Sequence, residues 1–308
     1  MARRRRKARG RDIRGILLLD KPKGISSNEA LQQVKGIFHA QKAGHTGSLD
    51  PLASGLLPIC FGEATKFSDY ILNADKSYAT HCQLGVTTTT GDTEGEIVEK
   101  KDVPALTEQD LINVLESFLG ESDQLPPMHS ALKKNGQPLY KLARQGIEVE
   151  REHRPIWIEN IELTSFGGDQ FSFNVTCSKG TYVRTLAEDI GNKLGCGAHV
   201  TDLRRYDLGV FHINDSVSLE KLNALRDEKA FTELDEYIMP IETALTDLPD
   251  LVLSEDSAFY IKQGQAVLVP KAPTEGWVTL FDKQHQFIGI GEIQDDAKVK
   301  PRRLLKTV

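Results

Sequence analysis

One stretch limits the architecture of this chain more than any other: Gly44-His-Thr-Gly-Ser-Leu-Asp-Pro-Leu-Ala-Ser-Gly-Leu-Leu-Pro58. Its three glycines and two prolines keep a helix or a long strand from running through it. The segment therefore reads as irregular as far as Pro58, with regular structure on both sides. Leu49, Leu52, Leu56 and Leu57 are placed to pack beneath it and hold it still. Taken alone, Asp50-Pro51 is an ordinary turn pair. The small residues around it, however, let backbone or ligand come close, and loops of this kind commonly carry function.

On either side the pattern is regular. Gly15–Asp20 reads as a buried strand that stops at Lys21-Pro22. Ser26 and Glu29 make a capping-box opening for a helix through Phe38, with Ala30, Leu31, Val34 and Ile37 on its apolar side. A helix is expected to resume over Glu63–Leu72. Residues 77–84 alternate as a strand, with Tyr78, Thr80, Cys82 and Leu84 on one face, and a polar Thr/Gly loop follows at 87–95. The pattern then predicts an amphipathic helix over Leu106–Leu119 and paired strands over 156–166 and 170–177. Ser178–Thr181 turns the chain into a helix with the stripe Val183, Ala187, Ile190 and Leu194, and Ala198–Tyr206 reads as a further strand. Beyond Pro249, short strands at Val267–Val269, Val278–Phe281 and Phe287–Ile293 suggest a small β-barrel.

The formal net charge is −6, which by itself argues against a nucleic-acid partner. The location of the charge reverses that inference. Residues 1–14 hold eight basic side chains and one acid, residues 215–250 ten acids and three bases, and residues 251–308 eight bases and seven acids. The basic terminus is either a solubilising tail or an arm that contacts phosphate, and charge alone does not separate the two. No apolar run approaches the roughly 20 residues of a membrane helix, and no signal-peptide core follows the basic terminus. Cys60, Cys82, Cys177 and Cys196 are far apart and form no C-x-x-C, so neither a zinc ribbon nor a disulfide framework is expected.

Residues 44–55 fit the form G-H-x-G-x-L-D-P-x-A-x-G throughout. Leu18-Leu-Asp-Lys-Pro22, Tyr78 opening its strand, Ser178-Lys-Gly-Thr-Tyr-Val-Arg184 and Ala198-His-Val-Thr-Asp-Leu-Arg-Arg205 complete a set of matches. In these motifs and their order the chain resembles, over nearly its whole length, the TruB family of pseudouridine synthases, which act on the T-arm of tRNA. The resemblance implies an α+β fold: a pseudouridine synthase-like catalytic domain on a mixed, mainly antiparallel sheet, and a small C-terminal PUA-like β-barrel. It divides the chain into a basic arm at 1–14, the catalytic domain at 15–214, an acidic helical connector at 215–250 and a PUA-like RNA-binding domain at 251–308. The implied reaction converts uridine 55 in the T-loop to pseudouridine, with no cofactor and no metal. The expected setting is a cytoplasmic monomer whose partner is the tRNA T-stem-loop, with no membrane and no protein partner.

The resemblance also implies roles. Asp50 is the nucleophile on a flipped-out nucleotide, since a carboxylate can add covalently and then leave. Arg184 is its partner, favouring the charged carboxylate and lowering its pKa; on local pattern alone Arg184 is a solvated cation in the first turn of a helix, a mildly unfavourable place. Tyr78, a core tyrosine by pattern, would stack on the target base and help move its proton. Tyr182 and Leu203 would line the pocket, as a flipped base requires apolar and aromatic walls. His45 would fill the space the nucleotide leaves in the RNA, and Lys21 would support the loop. Candidate phosphate contacts are Lys42, Lys133, Lys134, Arg144, Arg151, Arg154, Lys179, Arg204 and Arg205, with the 133–154 stretch as a clamp over the T-loop. Two other classes compete: a non-catalytic RNA-binding or RNA-folding protein using the same pocket, and a glycoside hydrolase. The latter needs a second carboxylate in the pocket, where the matched motifs supply an arginine.

Overall fold

Strand Gly15–Lys21 is apolar at nearly every position because both of its faces are covered. Leu17 and Leu19 point into one core and Ile16 and Leu18 into another. In the computed structural model, which describes residues 10–306, this strand belongs to a ten-stranded mixed sheet counted among those residues. From one edge the main order is Val217–Ser218, Gly15–Lys21, Ser54–Phe61, Ala198–Leu208, Lys76–Leu84, Gln170–Cys177, Arg154–Gly167 and Gly120–Gln124. Most neighbours are antiparallel, but Val217–Ser218 joins Gly15–Lys21 in parallel, and Ala198–Leu208 joins Ser54–Phe61 in parallel.

One face of the sheet is covered by helices Ser27–Ile37, Glu108–Glu116, Val183–Lys193 and Leu219–Asp227, each burying an apolar stripe in the same core. Ser26 caps the first of these, its side chain accepting the Glu29 N–H at 3.1 Å. The other face packs on Ala64, Phe67, Ile71, Ile241 and Leu245. The expected helix over Glu63–Leu72 is instead two pieces, a 3₁₀ turn Gly62–Lys66 and helix Ser68–Asn73, parted at Phe67, whose ring is fully buried. The irregular stretch also ends earlier than expected. Ser54–Phe61 is a strand buried along its whole length, and its Pro58 lies opposite Leu18.

The C-terminal residues form a five-stranded sheet in the order Asp250–Val252, Trp277–Phe281, Phe287–Ile293, Lys298–Leu304, Val267–Leu268. It curls into a half-barrel of PUA-like form rather than a closed barrel. Helix Glu255–Lys262 buries Ala258 and Ile261 in that core. Ile290 and Phe287 reach across to the Phe67 cluster, so the two sheets share apolar contact. All four cysteines are buried free thiols. No helix among the described residues is long and apolar enough to cross a membrane. Of the basic arm, residues 1–9 lie outside the described residues. Arg11 is paired with Asp235, and Arg14 with Asp12 at 3.0 Å.

Candidate active site

The loop between His45 and Ser54 is pinned at several points. Thr46 N–H donates to the Pro58 carbonyl at 3.0 Å, and Gly24 N–H donates to the Pro51 carbonyl at 2.8 Å. The buried Ser27 hydroxyl accepts the Leu49 N–H at 2.7 Å and donates to the Leu49 carbonyl at 2.9 Å. Ala53 N–H closes a turn on the Asp50 carbonyl at 3.1 Å. Asp50 thus sits at the tip of a turn with both flanks bonded, and its side chain keeps 43% of its surface open. Gly55, at φ +104°, lets the exit strand lie against Ala198–Leu208: a Cβ there would stand 2.2 Å from the Arg205 carbonyl oxygen.

Arg184 enters from the first turn of helix Val183–Lys193 and is buried. Its Nε donates to Asp50 Oδ2 at 2.9 Å, and its Nη1 lies 3.5 Å from Asp92 Oδ2. Nη1 also donates to the Thr90 carbonyl at 2.6 Å and Nη2 to the His129 carbonyl at 2.9 Å. The guanidinium is therefore gripped from three sides, and its fork geometry suits that task. Asp92, fully buried, is itself fixed by the Thr90 hydroxyl at 2.5 Å and the Glu94 N–H at 3.0 Å. The expected lowering of the Asp50 pKa does not hold. Burial pushes its carboxyl above the ordinary aspartate value, Arg184 pulls against that push, and the Asp92 charge adds to it.

Tyr78 is buried on strand Lys76–Leu84, on the face that also carries Cys82 and Leu84. Burial raises its pKa, with the Arg205 guanidinium opposing, so it is a neutral phenol at neutral pH. Leu203 lies buried on the neighbouring strand opposite Thr80. Tyr182 stands half-buried just before the Arg184 helix. The Gln124 amide brackets its backbone, accepting its N–H at 2.8 Å and donating to its carbonyl at 3.1 Å. Lys21 has no solvent exposure. Its ammonium donates to the Pro22 and Ile25 carbonyls, each at 2.8 Å, which shapes the turn that meets Pro51, and burial brings its pKa down to about 8. The Asp50 charge acts on Lys21, Tyr78 and Tyr182 alike, so these residues form one electrostatic group. His45 stands apart from it. Burial and Arg205 lower its pKa, and its Nδ1 is buried with no hydrogen-bond partner among the described residues.

Of the proposed phosphate contacts, Lys42, Lys133, Lys134, Arg144, Arg154 and Lys179 are exposed. Arg204 is committed to Asp20 through two bonds of 2.8 and 3.0 Å. Arg205 cannot meet phosphate: it is 1% exposed and bonded to the Leu56 and Gly47 carbonyls. A cleft of about 320 Å³ opens in the 126–154 region between Leu132, Lys134, Arg151 and Arg154. A larger one, about 610 Å³, lies away from Asp50 between Tyr70, Trp277, Arg302 and Arg303. The motifs did not single out Asp92, Thr90, His129, Ser27 or Gln124. Two of these act through backbone carbonyls, and Asp92 sits in a polar loop that reads as a turn.

Known proteins are similar to this chain in sequence and in fold. The model of the TruB family pseudouridylate synthase N-terminal domain matches residues 35–183. The tRNA pseudouridylate synthase B C-terminal domain matches 184–246, and the C-terminal region of pseudouridine synthase II TruB matches 249–305. The tRNA pseudouridine synthase B of Coxiella burnetii (strain Dugway 5J108-111) is 54% identical over 296 residues, covering 96% of both chains. That of Nitrosococcus oceani is 54% identical over 302 residues, covering 98% of both. Among solved structures, an H/ACA RNP bound to a substrate RNA containing 2′-deoxyuridine superposes with a TM-score of 0.72 at 24% identity, over 95% of this chain and 85% of that one. A Cbf5–Nop10–Gar1 complex also gives 0.72, at 25% identity, over 95% of this chain and 84% of that one.

Proposed function

Because the chain belongs to the TruB family of pseudouridylate synthases, we propose that the Asp50 loop is where a uridine of tRNA, at position 55 of the T-loop, is rebuilt as pseudouridine. The protein is an enzyme, an isomerase acting on tRNA. The reaction breaks the N1–C1′ bond, turns the base while it stays bound, and joins C5 to C1′. The C5 proton leaves and N1 gains one, so the atoms balance without an outside reactant. Asp50 adds covalently to the flipped nucleotide and departs. Arg184 holds the carboxylate in place, and Tyr78 stacks on the base. Tyr78, a neutral phenol, helps move the C5 proton, and N1 takes up a proton in return, so none is gained or lost. Tyr182 and Leu203 wall the pocket, His45 fills the gap left in the RNA, and Lys21 shapes the supporting turn.

The observation that carries this assignment is the 2.9 Å contact between an open-faced Asp50 and a buried Arg184. It also weighs against a glycoside hydrolase. Of the carboxylates near Asp50, Asp92 is buried behind the same guanidinium and unable to reach a leaving group, whereas Glu94 is exposed and feels the Asp50 charge, so the case against that class rests on the Arg184 contact and the family match.

Residues 1–14 and the exposed bases of 133–154 meet phosphate, the latter as a clamp over the T-loop. Residues 15–214 carry the catalytic domain, the acidic stretch 215–250 packs strand Val217–Ser218 and helix Leu219–Asp227 into its sheet and core before leading on, and 251–308 add RNA contact. The enzyme works as a cytoplasmic monomer. The test is to incubate unmodified tRNA with wild type and with Asp50→Asn and to map pseudouridine in the T-loop. Wild type is expected to modify and the variant to be inert. An inactive wild type or a fully active variant would overturn the reading, and RNA binding retained by the inert variant would add an RNA-folding role.

A further inference from the structure

Arg205 is a buried cation that the reaction scheme leaves unused. It lies on strand Ala198–Leu208, which joins the exit strand of the Asp50 loop on one side and the Tyr78 strand on the other. Arg205 stands opposite Gly55 in the first pairing and opposite Tyr78 in the second. Its Nε donates to the Leu56 carbonyl at 2.8 Å and its Nη2 to the Gly47 carbonyl at 2.9 Å. These two acceptors flank Asp50 in sequence, one on each side of the loop. Tyr78 is its cross-strand neighbour, and the phenol feels the guanidinium's charge. No acid pairs with it among the described residues; the neighbouring Arg204 takes Asp20 instead.

Burying a permanent charge without a counter-charge is unfavourable. An apolar side chain would fill the same volume, so space-filling does not account for Arg205. Only a long, rigid fork reaches both carbonyls at once. Because guanidinium has donors and no acceptor, any bond it makes to Tyr78 leaves the phenolic oxygen accepting and turns the phenol's own proton elsewhere.

We propose that Arg205 is a positioning residue, a strut that ties both flanks of the Asp50 loop to the strand beside Tyr78, so that carboxylate and phenol face one base in fixed register. This rests on the reading of Asp50 and Tyr78 given above. A misplacement of about 1 Å at a reacting group lowers a rate by roughly 100-fold, and losing the strut acts at that level. The role concerns the chemical step, not the capture of RNA.

The test measures single-turnover pseudouridine formation with excess enzyme, alongside the Kd for tRNA, for wild type and for the D50N, R205Q and R205K variants. R205Q is expected to slow the chemical step roughly 100-fold while leaving Kd within about 3-fold. R205K, which keeps the charge and reaches one carbonyl, is expected to recover part of that loss. If R205Q does not fold, Gly47→Ala decides against a Gly24→Ala control: its Cβ would stand 3.3 Å from Arg205 Nη1, whereas the left-handed backbone strain is common to both positions (φ +79° and +85°). G47A is expected to slow the rate at unchanged Kd. A folded R205Q or G47A with the wild-type rate, or a Kd that weakens in step with the rate, would overturn the proposal. An inert wild type or an active D50N would instead overturn the reading beneath it.

Discussion

Arg184 reaches Asp50 through Nε at 2.9 Å while keeping only 5% of its own surface open. The Thr90 and His129 carbonyls occupy its other nitrogens, so the residue has no freedom to swing away from the loop. Arg184→Lys keeps the charge and loses the fork. A single ammonium cannot serve two carbonyls and two carboxylates at once. We expect R184K to slow pseudouridine formation by about 100-fold or more, read by single-turnover assay. Arg184→Ala, which leaves Asp92 buried and uncompensated, should also cost about 3–5 kcal/mol of stability by denaturant titration.

Asp50 is a functional residue that the fold accommodates poorly. Its folded pKa lies above the unfolded value, mainly through burial. Its favourable contribution is therefore present below the unfolded pKa and lost as pH rises through the folded one. Above the ordinary aspartate range the charge therefore costs more in the folded chain than in the unfolded one, with Arg184 offsetting part of that cost. Asp50→Asn, equal in shape and neutral, should abolish activity and melt no lower than wild type by calorimetry at pH 7. A melting temperature clearly below wild type would show that the Arg184 contact outweighs burial.

Lys21 titrates in the opposite sense. Its folded pKa of about 8 lies below the ordinary lysine value of 10.5, so between these limits the unfolded chain binds more protons and stability rises with pH. The difference in stability between wild type and Lys21→Met should therefore shift in favour of wild type as pH climbs from 8 to 10. A difference that stays flat over that range would mean that Lys21 is not held as burial implies.

Most of the sheet was legible because its strands alternate or are wholly apolar: Gly15–Lys21, Lys76–Leu84 and Gln170–Cys177 fall within a residue or so of expectation. Gly120–Gln124 and Lys298–Leu304 were not. Gly-Glu-Ser-Asp-Gln holds no strand former, and the second carries two Lys, Pro and two Arg; the first pairs as an edge strand and the second lies between Phe287–Ile293 and Val267–Leu268, and in both the backbone makes the bonds. Helix Glu255–Lys262 leaves little trace in the pattern because its capping serine precedes only two turns. At the site, the motifs pointed to residues whose side chains face one another, such as Asp50 and Arg184. They were silent on carbonyl acceptors such as Thr90 and His129, because any residue type has a carbonyl. Arg205 was misread for a related reason. An arginine in a polar run looks solvated, and only the strand pairing shows it turned inward.

Gly55 should tolerate no side chain. Its φ of +104° costs an L-residue about 1–2 kcal/mol in backbone strain alone, before the clash with the Arg205 carbonyl oxygen. Gly55→Ala should lower the melting temperature and the turnover rate together. Gly24, equally left-handed but with nothing within 4 Å of its Cβ position, is the control: Gly24→Ala should show only the backbone cost.

The arm makes an electrostatic prediction. Deleting residues 2–9 removes six basic side chains. It should weaken tRNA binding and flatten the plot of log Kd against log salt by up to about 0.7–0.9 per lost phosphate contact, with the chemical step unchanged. An unaltered slope in a salt titration would make the arm a solubilising tail.

Strand Ala198–Leu208 lies in the middle of the sheet but is made late in synthesis. Until it arrives, the strands carrying the Asp50 loop and those carrying Tyr78 have no common edge. At roughly 5–20 residues per second on the ribosome, Ser54–Phe61 waits on the order of 7–30 s for its neighbour. Without that strand the topology leaves two separate sets of strands with open backbone edges and no catalytic centre. The chain's first capacity for chemistry coincides with the insertion of one strand.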